Sequence, residues 1–208
     1  MTYSLVFCLY FLTVHASDVI LVLLMYIPMV ALLAKFPVKK WLQGIWKVWV
    51  VTASTTSSSG SLPITTSVTN DEFGVSSELS SFSLPLGATI NMNGGCIYYA
   101  AAIVMTAQIY GMNLTPSALV NIIISTVLVA MGCPGVPGGA IIMTTILLTN
   151  MGLPLEIVGL IAGIFRLIDM ANTTFNVTGD VVTTMVVARS EGMMHTLGTG
   201  AETETKAA

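Results

Sequence analysis

The residues best placed to do chemistry lie in one apolar run near the end of the chain. Between Leu155 and Val187 stand Asp169, Asn172, Thr173, Asn176 and Asp180, where a membrane helix should be greasy. Steps of four, three and four carry Asp169, Thr173, Asn176 and Asp180 along one helical face. Each carboxylate costs about 2.5–3.5 kcal/mol at the centre of an inserted helix, so such acids face a cavity, not lipid. A stripe of oxygen acceptors with an unpaired carboxylate suits a hard cation such as sodium. Arg166, three residues before Asp169, offers a plainer explanation for part of this, an ion pair within the helix, but leaves Asp180 and the asparagines unexplained.

The rest of the chain must hold that stripe inside a membrane. Of its 208 residues 54% are hydrophobic and 8% charged, and the mean hydropathy is +0.87. From Leu79 to Leu155 there is no Asp, Glu, Lys or Arg, a stretch no soluble fold could solvate. The seven Lys and Arg are scattered and the net charge is −3, which excludes a nucleic-acid partner. Cys8, Cys96 and Cys133 are too far apart for a disulfide framework or a zinc site and read as small buried hydrophobes. The thirteen methionines read as packing.

Residues 1–36 predict one long tilted span, interrupted by His15-Ala16-Ser17-Asp18. Lys35, Lys39, Lys40 and Lys47 put the following loop on the cytoplasmic side. Trp41, Trp46 and Trp49 suggest a segment at headgroup level. The Ser/Thr/Gly-rich run from Ser54 to Ser61 has the composition of a linker, yet its flanks are too short to span, and 37–78 is expected to be a re-entrant hairpin with a cytoplasmic loop. Residues 79–110 predict a transmembrane helix broken at Asn91-Met92-Asn93-Gly94-Gly95, whose freed backbone groups would make a ligand or cation site. Residues 115–152 predict a second re-entrant hairpin, because the Pro/Gly run from Gly132 to Gly139 cannot continue a helix and neither arm spans alone; an ordinary extramembrane loop is the alternative. The final span covers 154–190, and 191–208 reads as a disordered cytoplasmic tail. The fold class is therefore an all-α membrane protein in which a hairpin-plus-span unit occurs twice. One intervening crossing makes the two hairpins enter from opposite sides, an inverted repeat.

Four segments carry a family resemblance: Ser57-Ser58-Ser59-Gly60 with Leu62-Pro63; Leu84 to Gly94, reading LPLGATINMNG; Gly135-Val136-Pro137-Gly138; and Asp169-Met170 with Asn176-Val177-Thr178-Gly179-Asp180. In this order and spacing the chain resembles the C-terminal half of the dicarboxylate/amino acid:cation symporters, the glutamate/aspartate and neutral amino-acid transporters. The resemblance implies a transport domain whose hairpin tips close on substrate from opposite sides, in the cell membrane (plasma or inner), as a multi-pass protein. It also implies an elevator-like movement against a homotrimeric scaffold. That scaffold lies in the family's first half, which has no counterpart in these residues, so a split or truncated product that does not transport alone is one expectation.

By motif position the resemblance makes Ser57, Ser58 and Ser59 and, opposite them, Gly135, Val136 and Pro137 the tips that offer backbone to the substrate α-carboxylate, helped by Asn176. Asp169 would take the α-ammonium, with Thr173 and Asn172 lining the same pocket. Asp180 with backbone of Gly87, Asn91 and Asn176 would hold one sodium ion (Na+). Thr89 with Ala130, Met131 and Cys133 would give oxygens to another, and Asn93 would stand at a third. Three departures modify this. Acidic-substrate members carry an arginine where this chain has Asn172, so a small neutral amino acid is the expected substrate and an acidic amino acid or dicarboxylate the alternative, through Arg166. Asn93 replaces the family's usual aspartate, leaving the ion count open. Thr56 replaces an arginine of some members. An intramembrane acid/base enzyme is disfavoured, since Asp169 and Asp180 lie about 16 Å apart along a helix, too far to share a proton.

Overall fold

A computed structural model describes residues 3–195. Among them every regular element is helical, and the class is all-α. Helix α1 (Tyr3–Leu21) continues through two π-helical turns, Val22–Tyr26 and Met29–Leu33. The widened turns flank Ile27-Pro28; the Pro28 ring lacks an N–H and crowds the carbonyl one turn back, which a wider turn relieves. Leu5–Leu33 is long and apolar enough to cross a membrane. Its inward stripe is Val14, Asp18, Val22, Tyr26 and Val30, spaced by four, while Leu23, Leu24 and Leu32 point outward.

Lys35, at a positive φ of 50°, turns the chain into α2 (Val38–Thr55), which Pro37 starts. Trp41, Gly44, Ile45, Val48 and Thr52 are its buried stripe, and it packs along the last helix. Of its tryptophans, Trp41 is buried, the Trp49 indole N–H donates to the Thr178 hydroxyl at 2.8 Å, and Trp46 alone of the three is exposed. After a turn at 56–61, α3 (Leu62–Asp71) folds back on α2 as the first helical hairpin.

Ser76 caps α4 (Ser77–Ile90), accepting from the Leu79 N–H. The helix stops at Asn91 and Met92, whose dihedrals leave the helical region, and resumes as α5 (Asn93–Ile109). The helix is therefore interrupted at the Asn- and Gly-rich run. Helices α6 (Pro116–Met131), capped by Thr115, and α7 (Gly139–Asn150) form the second hairpin. Gly138 turns between them at φ 80°, a conformation that disfavours any Cβ. Helix α8 (Glu156–Ser190), apolar and long enough to span, runs about 52 Å past both hairpins.

Two cores result, one on each half of α8. Tyr98, Tyr99, Leu147, Leu148, Ile157 and Ile161 centre the first, with the start of α1 and the second hairpin. Trp41, Ile45, Phe73, Val177 and Val181 centre the second, with the end of α1 and the first hairpin. Of the predicted tail, Met193 and His195 pair with the connection before α4 (Ser76 N–H to Met193 O, 2.9 Å; His195 N–H to Gly74 O, 2.6 Å). Residues 196–208 lie outside the described part.

Candidate functional site

Each hairpin packs on its own half of α8, so their tips meet over its middle. The Ser59 N–H and the Ser57 hydroxyl both donate to the Gly135 carbonyl, at 3.2 and 2.9 Å. At Gly135 an added Cβ would come within 2.5 Å of the Ala88 carbonyl, so this contact between tip and broken helix requires glycine. Beneath the tips lies a small cavity. Thr56 and Ser58 close it from the first hairpin, Gly135 and Val136 from the second, and Met92 from the break. Its floor is Asp169, Asn172, Thr173 and Asn176 of α8, all buried. Ser57 and Ser59 are spent on joining the tips, and Pro137 is not among the lining residues.

The floor is a set of polar groups at different stages of satisfaction. Asp169 receives only a long contact from the Gly138 N–H, 3.5 Å, and keeps acceptor capacity facing the cavity. Asn176 is fixed: its Oδ1 accepts from the Gly94 N–H at 2.8 Å and its Nδ2 reaches the Met92 sulfur at 3.2 Å. Asn172 has no partner on either Oδ1 or Nδ2, although it is 3% exposed.

The broken helix meets α8 one turn further along. Asn91 Nδ2 donates to Asp180 Oδ1 at 2.7 Å and to the Asn176 carbonyl at 3.3 Å. A Cβ on Gly87 would fall 2.5 Å from Asp180 Oδ1, so the α4 backbone touches this carboxylate. The Asp180 carboxylate and the Asn176 carbonyl thus converge on the Asn91 amide N–H group against the Gly87 backbone, two hard oxygen acceptors that a cation could share if the Asn91 amide turned its oxygen inward. Asn93 is drawn aside: its Nδ2 donates to the Tyr26 hydroxyl at 2.8 Å, which donates in turn to the Phe175 carbonyl at 3.0 Å. The Thr89 hydroxyl bonds its own helix at Leu86, 2.7 Å away. Ala130 and Cys133 are buried, Cys133 lining the cavity beneath the tips, and Met131 is exposed.

One contact at the tip escaped the sequence. Arg166 makes no ion pair with Asp169; its guanidinium donates to the Thr56 hydroxyl at 2.6 Å and the Ser54 carbonyl at 3.3 Å, tying α8 to the first tip. Thr56 is buried in a left-handed conformation, φ 49°. The signal was the departure at Thr56 itself: a position that loses an arginine can gain one from a neighbouring helix.

Comparison with known proteins gives the family. The model of the sodium:dicarboxylate symporter family matches residues 2–190. An excitatory amino acid transporter of Caenorhabditis elegans is 36% identical over 141 residues, 68% of this chain and 28% of the relative. One from Onchocerca volvulus is 36% identical over 68% of the chain and 29% of its own length. The human excitatory amino acid transporter 2 is 34% identical over 66% of the chain and 24% of its own length. The chain belongs to the sodium:dicarboxylate symporter family, and it spans about a quarter of the length of the curated relatives it matches.

Proposed function

We propose that this chain is the substrate- and sodium-binding part of a secondary transporter for a small neutral, polar amino acid. Two re-entrant hairpins, entering from opposite membrane faces, would close on the solute. Asp169 would take the α-ammonium, the tip backbone with Asn176 the α-carboxylate. Asp180, Asn91, Asn176 and Gly87 would hold a co-transported sodium ion. Thr89 with Ala130, Met131 and Cys133 would serve a second ion only after the Thr89 hydroxyl turns from Leu86.

Asn172 carries the substrate class. A buried amide with both atoms unpartnered costs about 1–3 kcal/mol, and a ligand hydroxyl or amide that pairs with it recovers this. A substrate carboxylate would need a guanidinium there. The relatives are named for excitatory amino acids, which favours an acidic substrate, but the one arginine of this region, Arg166, is committed to Thr56 and Ser54. The surrounding protein would be a homotrimer in the bilayer of the cell membrane, with alternating access supplied by elements outside this chain.

Equilibrium binding of labelled serine to the reconstituted chain tests the reading. Binding should require sodium and be competed by alanine, threonine and asparagine. Competition by aspartate alone would overturn the substrate class, and binding indifferent to sodium would overturn the coupling.

A further inference from the structure

A third carboxylate is buried in this protein besides Asp169 and Asp180, and nothing described so far uses it. Asp18 lies midway along α1, fully buried, and no donor reaches either of its oxygens. Its depth follows from its neighbours on the helix. Eight residues earlier, the Tyr10 ring lies 6.4 Å from that of Tyr98, which lies 5.4 Å from that of Phe165; eight residues later, the Tyr26 hydroxyl bonds the Phe175 carbonyl. Asp18 therefore sits at the level of α8 between Phe165 and Phe175. Its burial is complete within this chain, so no element outside the chain can reach it without moving α1.

A bare carboxylate in such a place costs several kcal/mol. Helix α5, packed against α1, offers no charge to offset it; its titratable groups are Cys96, Tyr98 and Tyr99. On α8 the groups along the same stretch are Arg166, held by the first hairpin, and the acids Asp169 and Asp180, whose sign opposes a second negative charge. On α1 itself they are Tyr10, His15 and Tyr26. No cluster of three His, Cys, Asp or Glu that could hold a metal occurs among the described residues. What remains is a proton, which removes the charge and adds a donor able to bond a carbonyl of the preceding turn.

We propose that Asp18 is a proton-binding site, loaded and emptied through His15. The two are three residues apart on one helix, with roughly 5–6 Å between Cβ atoms. His15 is half-buried, stacked on Phe11 with ring centroids 4.1 Å apart, and its Nδ1 engages the Phe11 carbonyl at 2.9 Å. As the donor in that bond Nδ1 keeps its hydrogen; Nε2 is left to take a proton from outside, and the ring must swing from Phe11 toward Asp18 to pass it on. In the transfer the imidazolium N–H bond breaks and a carboxyl O–H forms; the positive and negative charges cancel, giving neutral imidazole and neutral acid. Asp and His chains of this kind are how intramembrane proteins move protons. That the proton travels with substrate rests on the transport reading; that Asp18 binds one does not.

Infrared difference spectroscopy of the full chain in liposomes, titrated with pH in H2O and D2O, tests this. A protonated-carboxyl band should be present in the wild type, absent in Asp18→Asn, and retained in Asp169→Asn and Asp180→Asn. After a pH jump the band should respond at least tenfold more slowly in His15→Gln. A band unchanged in Asp18→Asn, or lost on adding sodium at fixed pH, overturns the proposal. Because Asp18→Asn is isosteric, its thermal stability should match or exceed the wild type; loss of sodium-dependent serine binding in the wild type would sink the transport reading and leave this band intact.

Discussion

A folded protein that leaves both ends of a buried amide empty either wastes stability or reserves the group for a ligand. Asn172 is such a group, and Asn172→Leu separates the two cases. The substitution removes the unpaired oxygen and nitrogen at nearly constant volume, so thermal stability should hold or rise. Affinity for labelled serine should fall more than tenfold, and unchanged affinity would show that Asn172 touches no substrate. Gly87 works by lacking a side chain. Because a Cβ there would overlap the Asp180 carboxylate, Gly87→Ala should weaken sodium binding by tenfold or more in a titration, with amino-acid affinity at saturating sodium much less affected. The residue pattern showed Asp169, Thr173, Asn176 and Asp180 on one face, because a period of 3.6 is written in spacing. It could not show that Asn176 is satisfied and Asn172 is not, since that depends on Gly94 and Met92 arriving from another helix.

At the scale of elements, breaks were easier to read than partners. Pro134, Pro137 and their glycines, like Gly94 and Gly95, forbid or weaken helix wherever the chain goes, so the second tip and the broken span were legible in outline. Composition is blind to what the α2 tryptophans pack against, whereas the spacing of Trp41, Ile45, Val48 and Thr52 marks the face that α8 covers. Likewise the bond from Arg166 to Thr56 joins residues 110 positions apart. That bond is half-exposed and worth about 1 kcal/mol, so Arg166→Gln should loosen the first tip about fivefold. Faster amide exchange confined to 54–61 is the expected readout, and exchange spread over α8 instead would mean that the arginine serves helix stability.

Across the whole molecule, the two cores on either half of α8 leave their shared boundary to the tips, the break and the polar stripe. The cavity floor and the Asp180 oxygens share Asn176, whose side chain borders the cavity and whose carbonyl faces Asn91. Ligands that draw on one residue are expected to couple, and any coupling is reciprocal. The most direct test is a binding matrix on the intact chain, with serine titrated at several fixed sodium concentrations and sodium at several fixed serine concentrations. Each ligand should strengthen the other by the same factor, at least tenfold, and Asp180→Asn should abolish the coupling while the protein stays folded. Serine and sodium binding independently of each other, in the wild type, would contradict the account.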